Sequence, residues 1–155
     1  MRLGFTGTQR GMTDLQRRTL ANWFEERAGS FVEAHHGDCV GADDQFDLML
    51  QGRGTATVIH PPTVDAKRAF CFRRVGIRPL YELDPRPYLV RNHAIVDATN
   101  VLYAAPGEMV EQLRSGTWAT VRYARKLKRA IRFFWPDGTT TIDGQRAAVH
   151  VGGRA

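Results

Sequence analysis

Three times in this chain a turn rich in glycine or small hydroxyl residues stands between an apolar run and a helical pattern: Thr6–Gly11, Gly37–Asp43 and Arg114–Thr117. Repetition of strand, turn and helix limits the architecture to an α/β domain with a largely parallel sheet, because parallel neighbours must be joined by crossovers. The first strand is Arg2–Thr6. Thr13 then reads as an N-cap with Gln16 three residues on, a capping box for a helix to about Ala28 that turns Leu20, Trp23 and Phe24 inward. A second strand, Ser30–His36, precedes Ala42, Phe46, Met49 and Leu50 at helical spacing. Ala56–His60 is a third strand, stopped by Pro61-Pro62.

The stretch Thr63–Pro87 has no period and, at about 25 residues, is too long for a plain connection; it reads as a functional loop or the bearer of a short helix. A helix from Tyr88 to Ala98, a strand at Val101–Ala105, a helix from Ser115-Gly116-Thr117 to about Lys128 and a strand at Ala130–Trp135 follow. Asp137-Gly138 is a hairpin signal, so Thr139–Ile142 is expected as an antiparallel edge strand. One domain over residues 1–143 accounts for these elements, with 144–155 left as a tail or a further strand at 147–151.

At 155 residues the chain can bury a core without staples. Cys39 and Cys71 are too few for a disulfide framework and suit a reducing compartment. No apolar run spans a bilayer and the N-terminus lacks a signal pattern, so a cytoplasmic location with no membrane partner is expected. The net charge of +6 favours anionic partners. Its distribution is uneven. Segment 33–52 carries Glu33, Asp38, Asp43, Asp44 and Asp47 without Lys or Arg, whereas 114–132 carries seven basic residues without an acid.

The three turns fall at the carboxyl ends of predicted strands, where ligands of open parallel sheets bind. Glycine lets backbone N–H groups approach an anion, and the helix that follows adds unpaired N–H groups and partial positive charge. Such a site suits phosphate. The sequence lacks the Gly-x-Gly-x-x-Gly fingerprint and the Gly-x-x-x-x-Gly-Lys-Ser/Thr loop, which disfavours a NAD dehydrogenase or a P-loop ATPase.

Gly4-Phe5-Thr6-Gly7-Thr8-Gln9-Arg10, His36-Gly37-Asp38-Cys39-Val40-Gly41-Ala42-Asp43, Ile59-His60-Pro61-Pro62, Arg91-Asn92-His93-Ala94-Ile95-Val96 and Arg114-Ser115-Gly116-Thr117-Trp118-Ala119-Thr120 together resemble a SLOG-superfamily domain over about residues 3–135. That superfamily includes the LOG phosphoribohydrolases, the DNA-processing protein DprA and nucleotide-sensing domains of bacterial and phage conflict systems. The resemblance implies a Rossmann-like three-layer sandwich that binds a nucleotide or nucleotide-derived molecule, as sensor or sequestering protein. It places Gly7 and Thr8 at the base or ribose, Gly37, Asp38, Cys39, Gly41 and Asp43 along a second wall, and Ser115, Gly116 and Thr117 with Arg114 at the phosphate. Asp38 or Asp43 would accept from ribose hydroxyls. Pairing of such domains through helix faces makes a homodimer the expectation by analogy.

Active LOG enzymes carry Pro-Gly-Gly-x-Gly-Thr-x-x-Glu, and the glutamate position is Thr120 here. A hydroxyl neither stabilises an oxocarbenium ion as a carboxylate does nor serves readily as a base near neutral pH. Cleavage of an N-glycosidic bond is therefore the alternative, with Asp38, Asp43, Glu108 or Glu111 as substitutes and no catalytic residue assigned. Arg10, Arg91 and Asn92 complete the candidate set, the arginines as anion partners and Asn92 as a reader of a base edge. Arg122, Arg125, Lys126 and Arg129 form a stripe beside Tyr123, which favours a DprA-like single-stranded nucleic-acid partner as a further alternative. No cofactor is called for. His35, His36, Asp38 and Cys39 are poorly spaced for a metal, since adjacent strand residues point to opposite faces.

Overall fold

The computed structural model describes residues 1–74 and 76–144. Its strands are β1 (Arg2–Gly7), β2 (Glu33–His36), β3 (Thr57–Ile59), β4 (Leu80–Glu82), β5 (Val101–Ala105), β6 (Ala130–Phe134) and β7 (Thr140–Ile142). Its helices are α1 (Asp14–Arg27), α2 (Ala42–Arg53), α3 (Tyr88–Asp97) and α4 (Gly116–Lys126). The strands form one sheet in the order β4-β3-β2-β1-β5-β6-β7. All neighbours are parallel except β6 and β7, the expected antiparallel edge. The order reverses between β1 and β5: the chain first builds outward to β4, then returns across the sheet and builds the other way.

Alternation along the central strands divides the core in two. Leu3 and Phe5 of β1 join Leu20 and Phe24 of α1 and Phe46 and Leu50 of α2 on one face, where the rings of Phe5 and Phe46 stack with centroids 4.3 Å apart. Leu102 and Ala104 of β5 join Val96 of α3 and Trp118, Val121 and Ala124 of α4 on the other. Helices on both faces of a mostly parallel sheet make the three-layer sandwich that the strand–turn–helix repetition predicts. Among the described residues no helix is long and apolar enough to cross a membrane.

The sequence and the structure differ most at residues 63–87. This segment holds 3₁₀ turns at Asp65–Lys67 and Cys71–Arg73 and then β4, a seventh strand that the periodicity does not reveal. Leu80-Tyr81-Glu82 is a three-residue, largely exposed edge strand, too short to display a period of two. β2 starts at Glu33 rather than Ser30 because Ala28–Ser30 prolong α1 as a 3₁₀ turn. α4 stops at Lys126, and Lys128 takes a left-handed φ of 56°. The strand expected at 147–151 lies outside the described residues.

The capping box at α1 does more than start the helix. Thr13 Oγ1 accepts from Gln16 N–H at 3.1 Å, and Gln16 Oε1 accepts from Thr13 N–H at 3.2 Å. The buried Gln16 amide nitrogen also donates to Pro106 O at 2.8 Å and Phe134 O at 2.7 Å, the backbone just beyond β5 and at the end of β6. Replacement by leucine leaves those carbonyls unpaired and removes half of the cap. Gln16→Leu is expected to lower the unfolding free energy by about 2–4 kcal/mol in chemical denaturation. A loss under about 0.5 kcal/mol would mean that the amide is dispensable.

Candidate functional site

A cleft of about 460 Å³ opens over the carboxyl ends of β1, β2 and β5, at the point where strand order reverses. The turn after β1 supplies Gly7, Thr8, Gln9 and Arg10; the turn after β2 supplies Gly37, Cys39 and Asp43. α3 contributes Tyr88, Leu89, Arg91, Asn92 and Ile95, and the approach to α4 contributes Gly107, Glu108 and Arg114 to Thr117. Lys67, from the segment without a period, closes one side. Twelve of the fifteen residues singled out from the sequence thus share one rim.

Asp38, Gly41 and Thr120 do not. Asp38 is fully buried and faces away: its Oδ2 accepts from Arg68 Nε at 2.8 Å and its Oδ1 from Cys71 N–H at 2.8 Å. Neither oxygen is left for a ribose hydroxyl. Gly41 stands behind the wall with φ +93°, and a Cβ there would overlap the Gln9 carbonyl, so glycine is what lets the two turns meet. The contact is sealed where Ala42 N–H donates to Thr8 O at 2.9 Å. Thr120 is buried, its hydroxyl donating to Gly116 O at 2.9 Å within its own helix. Lys67, Gln9, Tyr88 and Leu89 are lining residues that the sequence reading missed. Only the proximity of Tyr88 and Leu89 to Arg91 on one helix pointed to them.

The cleft is built for negative charge. At α4, Ser115 Oγ accepts from Trp118 N–H at 3.3 Å, the first turn holds no acid, and the N–H groups of Gly116 and Thr117 have no partner among the described residues. Arg114 beside them carries no ion pair among the described residues. Arg91 is 4% exposed. Its Nη1 donates to Gly37 O and its Nη2 lies 3.5 Å from Cys39 Sγ, while among the described residues Nε has no partner and no carboxylate lies within ion-pairing distance. A Cβ at position 37 would overlap this guanidinium, so glycine makes room for the cation. Arg10, by contrast, is 70% exposed in its side chain and already paired with Glu108 at 2.6 Å.

Asp43 anchors one oxygen on Cys39 N–H at 3.2 Å and has no hydrogen bond to the other among the described residues. Burial raises its pKa, against the opposing pull of the His36 and Arg91 charges. Burial, with Asp43 adding to it, also raises the Cys39 thiol, which makes it a buried thiol rather than an activated nucleophile. The Tyr88 phenol accepts from Gln9 Nε2 at 3.4 Å, and burial raises its pKa. His36, Asp47 and Cys71 offer ligand atoms within 4.8 Å of one another. Guanidinium groups of Arg78 and Arg74 already hold both Asp47 oxygens, so cations of the chain itself fill that site.

The fold is a Rossmann-like α/β one that solved structures share. DNA processing protein A from Helicobacter pylori, whose single-stranded DNA binding mode has been described, superposes with a TM-score of 0.63 at 17% identity over 86% of this chain and 64% of its own. DprA from Streptococcus pneumoniae gives 0.63 at 12% identity over 84% of this chain and 48% of its own. TM1055, a LOG-family structure, gives 0.58 at 12% identity over 84% and 71%. The chain therefore spans about two thirds of one DprA and half of the other. No protein-family model and no curated protein matches the sequence significantly.

Beneath the cleft, His60 Nε2 lies 2.8 Å from His35 Nδ1, and His35 Nε2 lies 3.0 Å from Glu33 Oε1. The carboxylate can only accept, so His35 carries its proton on Nε2 and takes one hydrogen bond from His60. Both rings are neutral in this arrangement. Burial, with the charge of Arg91 adding to it, lowers the His60 pKa to about 3; burial lowers His35 as well. A histidine depressed in the folded state leaves the unfolded chain binding more protons below pH 6.5, so its stability contribution is complete above 6.5 and is lost as pH falls toward 3. Between pH 7 and 4.5 this amounts to about 2–3 kcal/mol of unfolding free energy. His60→Gln should flatten that loss in denaturation curves at successive pH values; parallel curves for the two proteins would assign the acid sensitivity elsewhere.

Proposed function

We propose that the cleft binds a nucleotide or nucleotide-derived small molecule through its phosphate, as a sensing or sequestering site. The observation that carries this reading is a buried guanidinium, Arg91, with no ion pair among the described residues, in the same cleft as an acid-free helix start with two N–H groups unpartnered among those residues and Arg114. A buried charge is costly unless compensated, and a phosphoryl group supplies the compensation. The free oxygen of Asp43 suits a sugar hydroxyl, and about 460 Å³ accommodates a small nucleotide. Binding rather than cleavage is favoured because Thr120 turns its hydroxyl into its own helix, leaving the LOG carboxylate position without a substitute on α4.

Calorimetry against nucleoside monophosphates and inorganic phosphate tests this. At least one nucleotide should bind more tightly than phosphate, and Arg114→Gln and Arg91→Gln should each weaken it about tenfold or more. Heat from no member of the panel would end the proposal. Chromatography of the same mixtures decides the cleavage alternative, for which released base is required.

Single-stranded nucleic acid is the second reading, favoured by the DprA likeness and by Lys126, Lys128 and Arg129, which carry no ion pair among the described residues. The stripe expected from the sequence is weakened by its own neighbours: Glu111 pairs with Arg122 and Arg125, and Asp143 with Arg125. A steep fall of strand affinity with salt would support it; a flat response removes it.

A further inference from the structure

We infer that the groove at the opposite edge of the sheet is a second binding site, for a planar aromatic anion. It has a volume of about 680 Å³ and lies between the end of α1 and the starts of β5 and β6. The cleft sits at the far ends of these strands, a strand length of roughly 15 Å away. The inference therefore stands apart from the function proposed for the cleft.

Two properties define the groove. Its walls are apolar and aromatic, with Trp23, Phe31, Tyr103 and Ile131 among them. Its charge is cationic and only partly offset by acids among the described residues. The Trp23 ring lies between two guanidinium groups, Arg27 with Cζ 3.5 Å from the ring centroid and Arg132 with Cζ 3.9 Å from it. Each is attracted to the ring, but the two like charges oppose each other. Glu26, 70% exposed, is the acid that reaches Arg27, at 3.0 Å, a surface pair that contributes little.

Arg132 donates to Thr140 Oγ1 at 3.3 Å and meets no carboxylate at ion-pairing distance among the described residues. Arg129 also lines the groove without an ion pair. The acid in the lining, Asp143, is committed to Arg125 through contacts of 3.0 and 2.9 Å. Burial lowers the Arg132 pKa, Tyr103 opposes that shift, and the like charge of Arg27 adds to it.

The two properties select the ligand class together. Inorganic phosphate gains nothing from aromatic walls, and a neutral arene leaves the guanidinium groups unpaired. A flat ring bearing a carboxylate or sulfonate lies along the groove wall and sets its charge on the outer N–H groups of Arg27 or Arg132, whose inner sides cover Trp23.

The test titrates the full chain with 1-anilinonaphthalene-8-sulfonate and with its uncharged counterpart N-phenyl-1-naphthylamine, read by dye fluorescence and tryptophan quenching. The sulfonate should bind at one site, about tenfold more tightly than the neutral arene, and quench wild type more than Trp23→Phe. Arg132→Gln should cost the sulfonate about tenfold and leave the neutral arene unchanged. Arg27→Gln, on the helix surface, gives the same comparison should the strand variant fold poorly. Equal affinity for both dyes, or an unchanged sulfonate affinity in the glutamine variants, overturns the inference. So does displacement of the dye by a nucleotide bound in the cleft.

Discussion

One buried carboxylate holds the two halves of the cleft in register. Asp47, on α2 and wholly inaccessible, accepts from both Nη atoms of Arg78 at 2.7 and 2.8 Å, from Arg74 at 2.9 Å and from His36 Nε2 at 2.8 Å. Burial by itself would raise its pKa, yet the hydrogen bonds from His36, Arg78 and Arg74 hold it well below the ordinary range. His36 is fixed as well. Its Nδ1 accepts from Asp38 N–H at 3.0 Å, which leaves Nε2 to carry the proton given to Asp47. A network of this kind adds little net stability over an apolar substitute, but removal of one member strands a buried charge. Its effect is therefore to fix geometry.

What it fixes is the long excursion between β3 and α3. The acids of 33–52 and the arginines that follow, which look like separate charge blocks in the sequence, are partners: Asp38 with Arg68, Asp44 with Arg74, and Asp47 with Arg74 and Arg78. Pinned in this way, the excursion brings Lys67 to the side of the cleft and returns the chain at Pro87 so that α3 begins over the β2 turn. Arg91 then occupies the space that Gly37 leaves open. The acidic segment that suggested ligand contacts mostly serves the fold, and Asp43 is the member left facing the cleft.

The same separation of roles explains the charge of the molecule. On α4, Arg122 and Arg125 are met locally by Glu111 and Asp143. Among the described residues, the guanidinium groups without an ion pair include Arg91 and Arg114 at the carboxyl edge of the sheet and Arg129 and Arg132 at the amino edge. A net charge of +6 could not distinguish these from a diffuse basic coat.

Local signals were legible in the sequence. The turns at the ends of β1 and β2 and at the start of α4, the Thr13–Gln16 capping box, the Asp137-Gly138 hairpin and the alternation of strand with helix all act within a few residues, and the structure bears them out. β4 was not legible, because three exposed residues form a strand only when β3 offers them an edge. Nor was the orientation of Asp38 or Thr120, since a side chain on a known turn or helix points wherever its remote partners allow: Arg68 and Cys71 N–H for the one, a carbonyl of its own helix within a packed layer for the other. The sequence by itself determined that backbone amides would gather at strand ends, because glycine and capping chemistry are written in neighbouring residues. Which charges would remain unpaired there was decided by tertiary structure alone, because pairing depends on contacts between segments dozens of residues apart.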